Sequence, residues 1–312
     1  MVSRDRGQGS RPPVASPPCV LASLAMVGLS DFGGASGVAG LVACSLLSTF
    51  AAWLSVSGDP TETLTFIVSG LAATCSIHLG SALLSPLLSP MLYDAFDDEG
   101  RRNWHGRVVG TCFAFFSLSF AIAERLDPSP ELEADHFFGT SVRSRLLIGV
   151  THGFFTWDAA FSFCMTTQES AIRGHALSGF IVGITNLQPF CHRQILAIIL
   201  WEASTPLLNL RTHLKECKLT SGSLFMVSNV LFALTFLGVR WGVGLRDSLL
   251  FVLEEIALLR AGDPRLRYWA LAITLIGICM MNFFNLLWGT MVVKGVLKTL
   301  GLLKSSSKSK GK

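Results

Sequence analysis

Residues 268–289 have the sequence YWALAITLIGICMMNFFNLLWG and contain no charged side chain. A run of about 20 predominantly apolar residues is long enough to cross the hydrocarbon core of a bilayer as an α-helix. This stretch therefore predicts a transmembrane helix near the end of the chain, and the rest of the sequence can be searched for similar runs.

Seven further runs carry few or no charges. They lie at 36–57, 64–84, 107–123, 146–166, 174–190, 194–210 and 224–239. Only 15% of the 312 residues are charged, against about 25% in typical soluble domains. All 25 Lys and Arg residues fall outside the cores of these eight runs or at their edges. This sorting of charge favours an all-α integral membrane protein with eight spans over a soluble fold with an unusual core.

The distribution of basic residues predicts the orientation of the spans. Cytosolic loops of membrane proteins carry an excess of Lys and Arg. With both termini in the cytosol, 16 of the 25 basic residues, including every lysine, fall on the cytosolic side. The loop 124–136, which is rich in acidic residues, then falls on the opposite side. We therefore expect both the N-terminus and the C-terminus to be cytosolic.

The N-terminal region has two interpretations. Residues 1–18 are rich in Arg, Pro, Ser and Gly, a composition typical of disorder. The short apolar run 19–30 behind three arginines resembles the core of a signal peptide. Residues 1–35 are thus a disordered N-terminus or a possible presequence, and 36–57 is either an extra transmembrane helix or part of a cleaved segment.

Several kinds of functional site are not indicated by the sequence. The eight cysteines include no C-x-x-C pair and no zinc spacing. There is no glycine-rich phosphate loop, no G-x-S-x-G and no H-E-x-x-H motif. The basic tail 301–312 is typical of a membrane-surface contact rather than of nucleic-acid binding. We expect no metal, no cofactor and no nucleic-acid partner.

Two carboxylates remain inside the predicted spans, Asp158 and Glu202. An acid in hydrocarbon is costly, so each is a candidate functional residue. His152 and His175 also lie in predicted spans, and Asn209 shares a helix face with Glu202. The alternative is structural, because polar side chains also join transmembrane helices through hydrogen bonds. The sequence does not decide whether these groups converge.

The stretch 201–211 carries a recognisable motif. It reads WEASTPLLNLR and resembles the E-x-S-[ST]-P-[FL]-x-N-x-R signature of TLC-domain proteins. That family includes the ceramide synthases and the translocating-chain-associating membrane protein.

Three further segments agree with the family in the same order along the chain. They are SPLLSP at 85–90 followed by WHGRVV at 104–109, GFFTWD at 153–158, and NLLW at 285–288 followed by Lys294-Gly295. The resemblance covers roughly residues 64–300, which we assign to a TLC domain. It implies a TLC-type helical barrel of six to seven spans, with 36–57 as one additional helix.

The resemblance also implies a membrane-facing cavity suited to an acyl chain. The candidate ligand-binding residues are His152, Asp158, His175, Glu202, Asn209 and Arg211, of which His175, Asp158 and Glu202 are also candidate catalytic residues. However, the His-His pair that is tied to acyl transfer in ceramide synthases reads Gly174-His175 here, and another recurrent family histidine appears as Phe113. These departures argue against an enzyme.

Three functions remain open at this point. The first is a non-enzymatic protein that binds or senses a membrane lipid, and the loss of the histidine pair favours it. The second is an acyltransferase related to ceramide synthase that uses His175. The third is a trafficking or translocation factor for membrane proteins, as some relatives are.

The C-terminal tail indicates a location. Lys308 and Lys310 stand at the fifth and third positions from the end, which fits the K-x-K-x-x signal that a retrieval coat binds on endoplasmic-reticulum proteins. The alternative is a plain basic segment that contacts anionic head groups. We expect an endoplasmic-reticulum membrane, with a retrieval coat as a possible partner of this tail.

Overall fold

The structure is a computed structural model that describes residues 29–55, 60–299 and 302–303. Within those ranges the chain is helical and contains no β-strand. Of the region 1–35, predicted to be disordered or a presequence, residues 1–28 lie outside the described residues, as does the predicted signal at Lys308 and Lys310. Its last residues are ordered, with a 3₁₀ turn at Leu29–Phe32 and a helix that begins at Gly34.

Ten helices of eight or more residues make up the described part of the fold. They are α1 (Gly34–Ser55), α2 (Thr61–Leu88), α3 (Asp98–Leu126), α4 (Val142–Ala160), α5 (Ser170–Asn186), α6 (His192–Ile199), α7 (Thr205–Glu216), α8 (Ser223–Phe236), α9 (Gly244–Ala261) and α10 (Tyr268–Thr299). Shorter elements are the 3₁₀ turns Leu29–Phe32 and Leu200–Ser204, the π-helical turns Phe161–Met165 and Leu237–Val243, and the one-turn helices Pro90–Tyr93 and Pro130–Ala134.

These helices form eight successive rods at the predicted positions. The turn Leu200–Ser204 joins α6 and α7 into one rod, and the turn Leu237–Val243 joins α8 and α9 into another. Five rods are long and apolar enough to cross a membrane, namely α1, α2, α3, α8–α9 and α10. The protein is thus an all-α integral membrane protein, and the count of eight spans stays a prediction.

The central helix is α4, most of whose side chains are buried. Glycines bring it close to α2: a Cβ at Gly70 would lie 2.6 Å from the carbonyl oxygen of Val150, and a Cβ at Gly153 would lie 2.6 Å from the amide nitrogen of Leu71. Small residues at such contacts let backbones approach, which drives helix packing in lipid. On its other flank α4 packs against α5.

The loops gather at two opposite ends of the bundle. At one end the Cys191 amide donates to the Phe137 carbonyl (2.7 Å), and Arg265 pairs with Asp135 (2.6 Å). At the other end the Thr167 amide donates to the Glu99 carboxylate (3.0 Å). The rods therefore alternate in direction, as the predicted topology requires. The end that holds Asp135 corresponds to the predicted non-cytosolic side.

One expectation about charge is wrong. The predicted span 224–239 continues as a helix to Ala261, which leaves Arg240 near the middle of a 39-residue rod. Its side chain is buried, with 6% exposed, so this arginine lies inside a span and not at its edge. The burial is tolerated because neighbouring helices supply hydrogen-bond acceptors to the guanidinium, which the sequence alone does not reveal.

Candidate functional site

A cavity lies inside the bundle among α4, α5, α10 and the two turns at 200–204 and 237–243. The cavity is narrow and partly open to its surroundings, with a volume of about 80 Å³ available to the centre of a water-sized sphere. Much of its wall is apolar, and these side chains include Phe113, Ile148, Phe155, Val182, Ile198 and Ile278. The wall is therefore chemically compatible with an apolar chain of a lipid.

Three of the residues predicted from the sequence meet at this cavity. His152 projects from α4, His175 from α5, and Glu202 from the 3₁₀ turn. Arg240, which the sequence did not single out, lines the same cavity. The signal that could have found it is the apolar pattern that continues past residue 240, since a helix that does not end there carries the arginine inward.

Arg240 is held by neighbours on two other rods. Its Nε donates to Ser204 Oγ (3.2 Å), and its Nη1 donates to Asn285 Oδ1 (2.9 Å). The guanidinium also lies 5.2 Å from the ring centre of Phe236. No carboxylate of the described residues lies within the 4.0 Å of an ion pair. The arginine is therefore fixed in position but not neutralised by direct contact.

Glu202 is held by the first residue of α7. Its Oε2 accepts a hydrogen bond from the Thr205 hydroxyl at 2.7 Å. Asp158 is not among the lining residues, but its carboxylate is close enough to Glu202 for the two charges to interact. Arg240 and Glu202 also interact electrostatically. Of the two family-motif acids, Glu202 thus lines the cavity and Asp158 does not.

His152 is the most unusual group in the wall. Its side chain is 0% exposed, and neither ring nitrogen has a hydrogen-bond partner among the described residues. Thr151 Oγ1 and Asn186 Oδ1, which line the same cavity, lack partners as well. Buried polar atoms in native proteins nearly always have a partner. This grouping points to a cavity that is filled by something with polar atoms.

Two glycines of α5 make room for the wall. A Cβ at Gly183 would overlap Nδ1 of His152, and a Cβ at Gly179 would overlap the ring of Phe155. The ring of His152 stacks 5.5 Å from that of Phe180 on the same helix. The glycines therefore let these α4 side chains lie against the α5 backbone.

Aromatic rings occupy both places where the family pattern has lost a histidine. A Cβ at Gly174 would lie 2.8 Å from Cζ of Phe284, so a larger side chain there would displace that ring. Phe113 stacks on Phe154 with ring centres 3.8 Å apart. His175 remains alone beside Trp288, at 5.5 Å between ring centres. The local packing is thus adapted to the absence of the histidines.

Asn209 and Arg211, the other predicted ligand contacts, are not brought to the cavity. Asn209 Nδ2 donates to the Arg107 carbonyl (3.0 Å) and to Thr111 Oγ1 (2.9 Å) on α3. Arg211 Nε donates to Asn229 Oδ1 on α8. In this structure both residues brace α7 against its neighbours.

The motif at 85–109 builds a separate polar cluster between α2 and α3. His105 Nδ1 contacts Ser81 Oγ (2.8 Å), and His105 Nε2 contacts the Tyr93 hydroxyl (3.0 Å). Trp104 Nε1 donates to Ser85 Oγ at 3.0 Å. This cluster is fully hydrogen-bonded at His105 and joins the two helices.

No metal-binding arrangement is formed by the part of the chain that the structure describes. No group of three or more His, Cys, Asp or Glu side chains there is placed to hold an ion.

Comparisons with known proteins give a consistent result. A family model described as TLC domain matches residues 103–294. A TLC domain-containing protein of Schizosaccharomyces pombe is 24% identical over 225 residues, which cover 69% of this chain and 73% of that protein. Topoisomerase I damage affected protein 4 of Saccharomyces cerevisiae is 27% identical over 160 residues, covering 48% of this chain and 54% of that protein.

No solved structure matches the chain. The segment 85–109 resembles TLC-domain-containing protein 4 in particular, and the matches do not single out that protein.

Proposed function

The chain belongs to the TLC-domain family, and we propose that it binds or senses a lipid in its intramembrane cavity. The family is membrane-associated and linked to lipid biology. The proposal places the protein in lipid homeostasis of an endomembrane, most simply the endoplasmic reticulum. Both termini then face the cytosol, where a retrieval coat binds Lys308 and Lys310.

One observation carries the proposal, namely a cavity that combines an apolar wall with polar groups lacking partners. The apolar wall suits an acyl chain. The nitrogens of His152 and the hydroxyl of Thr151 have no partner among the described residues. A lipid that carries hydrogen-bonding groups would fill the volume and satisfy such atoms.

The packing around His175 favours binding over acyl transfer. A general base must reach the proton that it abstracts. It also needs a neighbouring group that orients it. The neighbouring position is Gly174, and Phe284 fills the adjacent space. His175 has aromatic neighbours, Phe284 and Trp288, rather than an orienting acid.

An acyltransferase is the second candidate, because His175 and Glu202 do line one cavity. This reading requires that the purified protein transfers an acyl group from acyl-CoA to an amine or hydroxyl acceptor, and that His175→Ala abolishes the transfer. A lipid-binding protein shows no such turnover, and His175→Ala keeps most of its bound lipid.

The test of the proposal is the lipid that copurifies with the full-length protein in a mild detergent. Ile198 lines the cavity, so Ile198→Phe should fill part of it and lower the bound lipid per protein by about tenfold. Leu253 is 53% exposed on the surface of α9, and Leu253→Phe provides a matched control that should retain the wild-type amount. Equal lipid content in wild type, Ile198→Phe and Leu253→Phe contradicts the proposal.

A further inference from the structure

We infer that the lipid of this cavity has a head group without net charge that contains both a hydrogen-bond acceptor and a hydrogen-bond donor, and that the head group bridges Arg240 and Glu202. A hydroxyl next to an ester or amide carbonyl is the simplest chemistry of this kind. The inference rests on the proposed function and names the class of ligand for the same site.

The first step is the charge of the wall. Among the described lining residues, Arg240 is the one basic side chain that is permanently charged and Glu202 is the one acid. They influence each other electrostatically but do not form an ion pair within 4.0 Å. The wall therefore carries one positive and one negative side chain that are not in direct contact.

The second step is that each group is fixed by its own neighbours. Ser204 and Asn285 hold Arg240, and Thr205 holds Glu202. The π-helical turn at 237–243 and the 3₁₀ turn at 200–204 depart from α-helical geometry at both places. Such departures inside transmembrane helices frequently mark functional sites.

The third step excludes a net charge on the ligand. An ion moved into a low-dielectric interior is strongly penalised unless an opposite charge compensates it. An anionic head group beside Arg240 would also meet Glu202, the acid of the same wall. A cationic head group beside Glu202 would meet Arg240. A neutral head group adds no charge to a wall that already holds one of each sign.

The fourth step follows from the hydrogen-bonding inventory. A guanidinium can only donate hydrogen bonds, and an ionised carboxylate can only accept them. A head group that satisfies both must present an acceptor to Arg240 and a donor to Glu202. A carbonyl with a neighbouring hydroxyl does this, whereas a hydrocarbon end does neither.

The experiment compares three probes with the same single acyl or alkyl chain on the purified full-length protein. They are a monoacylglycerol, a fatty acid and a primary alkylamine, added to delipidated protein in detergent, with Kd measured for each. We expect the monoacylglycerol to bind at least about tenfold more tightly than either charged probe. Tightest binding of the fatty acid or of the amine overturns the inference while leaving the proposed function intact.

Two variants that each remove one charge test the bridge itself. Glu202→Gln leaves Arg240 as the sole charged lining residue, so the preference should move toward the fatty acid. Arg240→Gln should move it toward the amine. A residue with only a structural role would weaken all three probes together, and that outcome overturns the bridge. If Arg240→Gln does not fold, the shift in Glu202→Gln decides alone.

Failure of the proposed lipid binding and failure of the head-group inference give different results. If wild-type protein with a normal melting temperature binds none of the three probes and copurifies with no lipid, the proposed function itself is contradicted. Ile198→Phe provides the common control, because it should weaken all three probes without changing their order.

Discussion

Two buried histidines show how differently this molecule uses the same side chain. His105 and His152 are both 0% exposed. Both ring nitrogens of His105 are hydrogen-bonded, to Ser81 and to Tyr93. Neither nitrogen of His152 has a partner among the described residues. The first histidine joins two helices, whereas the second lines a cavity with its hydrogen-bonding capacity unused.

Burial alone therefore does not identify a functional residue in this membrane protein. A buried polar group that is fully hydrogen-bonded stabilises the fold, and its removal leaves partners unsatisfied. A buried polar group without partners lowers stability until a ligand or water satisfies it. Mutation of a buried histidine should therefore cost more stability in the α2–α3 cluster than in the cavity.

The largest effect is expected at His105. His105→Ala removes both hydrogen bonds and leaves Ser81 and Tyr93 without their shared partner. We expect a loss of about 2–4 kcal/mol in the free energy of unfolding, measured by unfolding in mixed detergent micelles. Ser119 is exposed and bonds only within its own helix, so Ser119→Ala should stay near wild type. Similar stabilities for the His105 and Ser119 variants would contradict a stabilising role for the hydrogen bonds of His105.

A smaller effect on stability is expected at His152. His152→Leu breaks no hydrogen bond within the described residues, so the free energy of unfolding should change by less than about 1.5 kcal/mol. The bound lipid should nevertheless decrease, because a polar contact to it is removed. A decrease in bound lipid at nearly unchanged stability would support a ligand-binding role for His152. A destabilisation as large as that of His105→Ala would show that His152 is structural.

The smallest effect is expected at the loop end of the bundle. Burial tends to raise the pKa of Asp135, but hydrogen bonds from the amide of Phe138 and from Arg265 outweigh it and lower the pKa below 3.8. A lowered folded-state pKa adds stability above the ordinary carboxyl range, and this is lost as the pH falls below about 4.

Asp135→Asn should therefore flatten the acid end of the melting-temperature profile and leave the profile near pH 7 with the same slope. Melting temperatures of wild type and variant between pH 3 and pH 7 measure this. Parallel curves over the whole range would show that Asp135 adds no acid sensitivity.

Much of the helical framework could be predicted because length and hydropathy act locally. Residues 268–289 fall within α10, and 64–84 fall within α2. The sequence predicts too short a rod around Arg240, because a charged residue normally marks the membrane boundary. The hydrogen-bond acceptors of Arg240, Ser204 and Asn285, lie far away in the sequence. Only the folded chain shows that they surround the guanidinium.

The site was partly predictable for the same reason. His152, His175 and Glu202 stood out as polar groups within apolar runs, and the structure brings all three to one cavity. Asn209 stood out equally but bonds to α3. Whether a polar side chain meets a neighbouring helix or open space depends on tertiary packing, which neither spacing nor hydropathy reports.

The π-helical turn at 237–243 also sets the rotational phase of the rod that contains it. A π-helical turn typically contains one residue more than the α-helix accommodates, and each residue of an α-helix turns the chain by about 100°. The turn therefore fixes how α9 is rotated about its axis relative to α8. Deleting one residue there, such as Gly238, would let a regular helix form and turn Asp247 and Glu254 to a different side. The direction in which Arg240 points and the face that α9 presents at the far end of the rod are thus coupled through one extra residue.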